Sequence, residues 1–285
     1  MPPDLELRRN LRLGSRFRKV SFEWNPMTRQ MIFAAGLALS LAATAAHAEG
    51  GWIVSVGAKA SVSPPYEGAD HFVTRPTPTL SVTPADKPYR FTPPDGGTTF
   101  ALIDSKYVVF GPMARFLYGR GNGGQLVGLD RVKWAAEPGA FLDLWPTRWL
   151  RLHGEARHGI IGHTGLVADV GADLVYMGKR WDFSVGPRMG FGDKAYFERY
   201  FGVTPQENAR SPLITTAYDP SGGRRYTGVE VATAYHLTPR FILKADAGYH
   251  ELADAAALSP IVQVAGQRQQ YTASVGFSWS FHVGS

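Results

Sequence analysis

Residues 241–250 read Phe-Ile-Leu-Lys-Ala-Asp-Ala-Gly-Tyr-His. Phe241, Leu243, Ala245, Ala247 and Tyr249 fall on one face of an extended chain, and Lys244, Asp246, Gly248 and His250 on the other. Side chains of a strand alternate sides, so this is the pattern of a sheet with one apolar and one polar face. The same period recurs upstream. Val229, Val231, Tyr235 and Leu237 oppose Gly228, Glu230, Ala232 and His236, and Leu166, Ala168, Val170, Ala172, Leu174 and Tyr176 oppose Asp169, Gly171 and Asp173. Trp181, Phe183, Val185, Pro187, Met189 and Phe191 oppose Asp182, Ser184, Gly186 and Arg188. The last run sets Val275, Phe277, Trp279 and Phe281 against Thr272, Ser274, Gly276, Ser278 and Ser280.

A soluble sandwich alternates too, but its polar face meets water and is rich in Lys and Glu. Here that face is rich in Gly and Ser, as expected of residues packed inside a narrow lumen. Aromatics gather near strand ends, at Trp149, Tyr176, Trp181, Tyr235, Tyr249 and Trp279, where interfacial girdles sit. The chain closes on a strand bearing Phe277, Trp279 and Phe281, which resembles the assembly signal of outer-membrane barrels, with His282 to Ser285 as extra residues. The expected fold is an all-β antiparallel transmembrane barrel of the Gram-negative outer membrane, facing lipid. Strands are expected near 52–62, 72–83, 87–93, 98–104, 106–117, 131–144, 148–158, 165–177, 180–192, 224–237, 240–250 and 268–281. That makes about twelve, or ten if the proline-rich 72–104 fails to pair. Tight turns at 104–106, 145–148, 177–180 and 237–240 alternate with longer loops at 118–131, 193–223 and 252–267, the asymmetry of short periplasmic and long outer connections.

Residues 27–48 carry a basic start at Arg29, an apolar stretch from Met31 to about Ala43, and Ala46-His47-Ala48 before Glu49. They read as a secretory signal cleaved after Ala48. Residues 1–26 read as an N-terminal extension, with translation starting at Met27, and 49–285 as a single barrel domain.

Of 30 Lys and Arg, seven fall within 1–48 with three of the 24 acids, so the rest of the chain is nearly neutral and no basic patch points to nucleic acid. With no cysteine, thiolate chemistry is excluded. His153, His158 and His163 follow one strand and its loop rather than converging as a metal site. No Gly-x-Ser-x-Gly elbow occurs, and Gly119 to Gly124 precedes no helix that could cradle phosphate, so neither catalysis nor a cofactor is expected. Charges collect on inward positions: Lys133 with Glu137, then Arg151, His153, Glu155 and Arg157, with Asp169, Asp173, Asp182, Arg188, Lys244 and Asp246 on neighbouring strands. A selectivity filter would show a surplus of one sign. The mixed signs point to an ion-pair network filling the lumen.

Ser63-Pro64-Pro65-Tyr66-Glu67-Gly68, Gly111-Pro112 with Gly119-Arg120, and Asp193 through Pro205 with Tyr196, Tyr200 and Phe201-Gly202-Val203-Thr204 resemble the MipA/OmpV family of outer-membrane proteins. Ser211 to Leu213, Leu252, Ser259-Pro260-Ile261-Val262 and Tyr271 to Phe281 continue the resemblance in the family's order. The chain departs from it in lacking an aromatic last residue, which bears on assembly efficiency. The resemblance implies a scaffold linking a lytic transglycosylase to a murein synthase, or, on the OmpV side, a surface adhesin. Short periplasmic turns offer a scaffold little surface, whereas the long outer loops suit adhesion, unless 193–223 folds into the lumen as a plug. A small-solute channel is the other reading.

Overall fold

The computed structural model describes residues 51–87, 89–91, 93 and 97–284, so the expected extension, signal and cleavage position lie outside the described residues. Twelve strands run in order: β1 (Trp52–Ser63), β2 (Val73–Pro84), β3 (Thr98–Thr99), β4 (Ile103–Asp104), β5 (Val108–Leu117), β6 (Ala135–Thr147), β7 (Leu150–His158), β8 (Leu166–Met177), β9 (Trp181–Gly192), β10 (Gly223–His236), β11 (Phe241–Leu252) and β12 (Gln269–Val283). All pairings are antiparallel, in the spatial order β2-β1-β12-β11-β10-β9-β8-β7-β6-β5-β3, with β4 also beside β5. The first and last strands are neighbours, Trp52 opposite Val283, so both ends of the sheet sequence lie at the short-turn rim. That rim is the periplasmic one in barrels of this kind.

Alternation orients the wall as expected. Val185, Val231, Leu243, Val275 and Phe277 are each more than 40% exposed, while Asp173, Asp182, Ser184, Glu230 and Ser278 on the opposite face are buried. Soluble monomers do not display an apolar band of this extent, and a bilayer is the solvent that accommodates it. The molecule is an outer-membrane β-barrel.

The proline-rich stretch corrects one expectation. Residues 87–93 form no strand among the described residues, and 98–104 supplies two short pieces, β3 and β4, beside β5. The N–H of Ala85 donates to the carbonyl of Gly51, which fixes the register so that odd residues of β2 bond to β1. Thr74, Pro76, Pro78, Leu80, Val82 and Pro84 therefore turn their backbone groups to the free edge, and three of the six lack an N–H. Among the described residues no ladder joins β2 to β3, and the two margins meet instead through Arg75, whose guanidinium lies 4.0 Å from the ring centre of Tyr118.

Four helices interrupt the outer loops: α1 (Lys194–Phe201), α2 (Pro205–Arg210), α3 (Asp254–Leu258) and α4 (Pro260–Ala265). Each of α1, α2 and α4 is started by a capping side chain, from Asp193, Thr204 and Ser259 respectively, and α2 and α4 carry proline at their first turn. Two helices thus occupy 14 of the 31 residues of the expected long loop 193–223, a feature that a search for period-2 alternation passes over.

Candidate functional site in the capped lumen

The outer loops meet one another above the barrel mouth. Val132, Val167, Tyr196, Phe197, Tyr200, Phe201, Leu252 and Val262 form one apolar core; Leu126, Leu129, Val203, Ile214, Ile261 and Ala265 form a second, with Tyr66 packed on it. Apart from Val167 on β8 and Leu252 at the end of β11, these residues come from the loops after β1, β5, β9 and β11, which lie on different sides of the sheet, so together they span the mouth. The family-marking residues sit in this cap. Ser259 donates its Oγ–H to the carbonyl of Phe201 at 2.7 Å and accepts from the N–H of Ile261, which Pro260 precedes at the start of α4. Buried Arg120, in the loop begun by Gly119, donates to the carbonyl of Tyr200 at 2.6 Å. Val203 bridges Tyr218, just after Gly202 ends α1. Gly68 has φ +98°, and a Cβ there would fall 2.8 Å from Val262 Cγ2, so the site demands glycine on both counts. Burial raises the phenol pKa values of Tyr196 and Tyr200 and lowers that of the Arg120 guanidinium, the last opposed by nearby Glu207.

Beneath the cap, charged side chains pack against each other. Arg157 reaches Glu137 at 2.8 Å, Asp169 at 2.7 Å, and Glu155. Arg115 holds Glu155 at 2.7 Å, and Asp169 is also bonded by Arg225 at 2.6 Å and by the Tyr226 hydroxyl at 2.8 Å. One layer lower, Arg151 bridges Asp143 and Asp173, each at 2.9 Å, and Arg188 joins Asp173 at 2.7 Å. His153 lies 2.6 Å from Asp143, and His163 2.8 Å from Glu137. Of the expected inward charges, Glu137, Arg151, Glu155, Arg157, Asp169, Asp173 and Arg188 are brought together. Asp182 stands apart at the periplasmic end with His236 at 2.6 Å, and Asp246 on β11 is bonded to Ser274 on β12. Lys244 points inward from β11 but keeps an exposed side chain, on a flank lined by Gly276, Ser278 and Ser280. Lys133 is a correction: β6 starts at Ala135, four residues after the expected start at 131, and Lys133 lies exposed in the preceding loop while Arg115 of β5 takes the position opposite Glu137.

Arg225 joins the two regions, with Glu67 of the first outer loop at 2.6 Å and Asp169 of β8 at 2.6 Å. The β9–β10 register slips between Arg224 and Tyr226, so Arg225 is the extra residue of a bulge that turns it inward. Arg224 meanwhile pairs with Asp254 outside. Two adjacent arginines in an alternating strand are the available sequence signal, because one of them has to leave the pattern. Asp143, His163 and Glu67 follow from the same geometry but carried no distinguishing signal.

At the periplasmic end, Phe91 is buried against Trp145, Val175, Ala232, Ala234 and Ile242, which point inward from four strands. Tyr89 beside it donates its hydroxyl to Asp182 at 2.8 Å and meets the His236 ring edge-on. Arg90 pairs with Asp104 at 2.6 Å. Phe91 is therefore folded into the mouth, where its ring occupies space that a ladder residue would not fill, while Tyr89 stays half exposed at the rim.

The family model described as MltA-interacting protein MipA matches residues 56–281, nearly the whole of this barrel. The chain belongs to the MipA family. No curated protein matches it. Among solved structures, the MipA-family chain is similar to the NanC porin, with 11% identity, 81% of this chain and 100% of that one covered, and a TM-score of 0.38. It is likewise similar to an outer-membrane channel of Pseudomonas putida F1 (11% identity, 83% and 97% covered, TM-score 0.38) and to the channel DcaP of Acinetobacter baumannii (10% identity, 83% and 99% covered, TM-score 0.37).

Proposed function

We propose that this MipA-family barrel is a sealed docking protein, which holds a lytic transglycosylase at the inner surface of the outer membrane and through it a murein synthase. It acts by binding, with no chemical step of its own. The observation that carries this reading is the filling of the lumen: an apolar cap above, the arginine–carboxylate layers between, and Phe91 below. A barrel built to pass solutes keeps an open bore lined by one sign of charge. The partner class follows from the family's description as an MltA-interacting protein. Its contact surface would be the periplasmic rim, made of the short turns and the folded-in segment around Tyr89.

The channel reading draws support from one feature, the exposed inward Lys244 beside the Gly and Ser wall of β12, which leaves one flank of the lumen unfilled. The test is a pull-down of the barrel, tagged in an outer loop and crosslinked in intact cells, with co-purifying proteins identified by mass spectrometry. Recovery of a lytic transglycosylase supports the docking role. Recovery of the barrel-assembly machinery without any murein enzyme overturns it.

A further inference from the structure

Each of the four tight turns on the periplasmic rim ends in a basic residue followed by an aromatic one: Lys106-Tyr107, Arg148-Trp149, Arg180-Trp181 and Arg240-Phe241. Lys179 adds a second cation to the third turn. Arg148, Lys179, Arg180 and Arg240 are exposed, and among the described residues none has an ion-pair partner. The opposite end is different. There Lys194 pairs with Asp219, Arg210 with Asp130, Arg224 with Asp254 and Arg268 with Glu251. Arg131 and Lys133 of the outer loop before β6 are exposed without an ion-pair partner among the described residues, so what sets the periplasmic rim apart is that its unpaired cations repeat turn by turn beside an aromatic residue.

Above three of these turns the lipid-facing wall is indented. A groove of about 880 Å³ runs across β8 to β11 beside Trp149. Its large side is built by Trp149, Tyr176 and Phe183 and its floor by Thr233, Ala245 and Ala247. The register explains the step: Tyr176 is opposite Phe183, Phe183 opposite Thr233, and Thr233 opposite Ala245, so bulky and small residues stand side by side in one row. Neighbouring turns lie two strands apart, about 10 Å, so the cations of the β6–β7 and β8–β9 turns stand under the bulky wall of the groove.

We propose that this rim and groove bind an anionic phospholipid of the periplasmic leaflet. An acyl chain lies in the groove, Trp149 and Trp181 sit at the level of the glycerol, and Arg148, Lys179 and Arg180 hold the phosphate. Aromatic rings favour the interface, and long basic side chains beside them extend to the headgroups. Clustered Lys and Arg at a membrane surface select anionic over zwitterionic lipid, each adding roughly a fivefold enrichment. A second copy of the chain does not supply what the rim lacks, since the rim's cations would then meet their own kind. The inference does not rest on the docking reading: both use the short turns, the lipid from the membrane side and the docked enzyme from the aqueous side, and lipid retention can fail while the pull-down succeeds.

The test is native mass spectrometry of the full mature barrel released from vesicles of mixed phosphatidylglycerol and phosphatidylcholine. The expected result is phosphatidylglycerol retained over phosphatidylcholine by about fivefold or more. The preference should vanish in the Arg148→Gln, Lys179→Gln, Arg180→Gln variant, and all retained lipid should be lost in Ala245→Leu, Ala247→Leu. Both variants are first checked for folding by heat-modifiable migration in detergent. A salt series on the wild-type barrel needs no variant, and added salt should erode the preference. No preference in the wild type, a preference that survives charge removal or salt, or lipid that survives filling of the groove would overturn the proposal. So would a dimer that disappears when the groove is filled, because the groove would then be an interface between copies.

Discussion

Replacing Arg157 with leucine should destabilise the barrel more than any single exposed substitution. Arg157 is 2% exposed and its guanidinium touches three carboxylates, but the three are not left equally bare. Asp169 keeps Arg225 at 2.6 Å and Arg115 at 3.8 Å, and Glu155 keeps Arg115 at 2.7 Å. Glu137, fully buried, keeps only His163 at 2.8 Å among the described residues. The damage is therefore close to one uncompensated buried carboxylate, about 3–5 kcal/mol. Removing Glu137 as well should restore most of that, because leucine at both positions leaves no orphaned charge. Urea unfolding of barrels refolded into lipid vesicles, followed by tryptophan fluorescence, reads the difference, with Lys133→Gln in the outer loop as the exposed control at within about 0.5 kcal/mol of wild type. A loss for Arg157→Leu below about 1 kcal/mol would refute the reasoning, since it would mean that water already solvates Glu137 in the lumen.

Arg225→Gln removes the tie between Glu67 and Asp169, so trypsin should cut the 193–222 region of folded barrels several-fold faster, and an unchanged cleavage rate would contradict the coupling. Ser259→Ala loses both the bond to the Phe201 carbonyl and the cap of α4, a cost of about 1–2 kcal/mol, which amide exchange of residues 261–265 should report as roughly tenfold faster opening. Phe91→Ala empties an apolar contact shared by four strands and should cost about 3 kcal/mol in the same urea assay; a neutral result would place Phe91 outside the lumen.

Most of the wall was legible in the sequence because its cause is local. Where a strand has lipid on one side and a polar interior on the other, alternation must appear residue by residue, as it does in 166–177, 181–192, 241–252 and 269–283. The proline-rich stretch was legible only as a warning. Missing N–H groups at Pro76 and Pro78 weaken one edge of β2 without breaking its pairing to β1, and whether residues 87–93 pair or fold inward depends on what the lumen offers Phe91. The ion layers were legible by parity, and the misplacement of Lys133 came from a strand start set too early. Arg225 escaped because a bulge reverses parity at one residue. The cap escaped for a different reason: its helices are five to eight residues long, and their apolar faces are defined by loops distant in sequence.

Single-channel recording of the wild-type barrel in a planar bilayer tests the sealed lumen most directly. The account predicts insertion, verified by protein recovery from the membrane, with no steady conductance step at low voltage. A stable ohmic step that shifts its ion preference in Lys244→Glu would contradict it and make the flank beside β12 a conducting path.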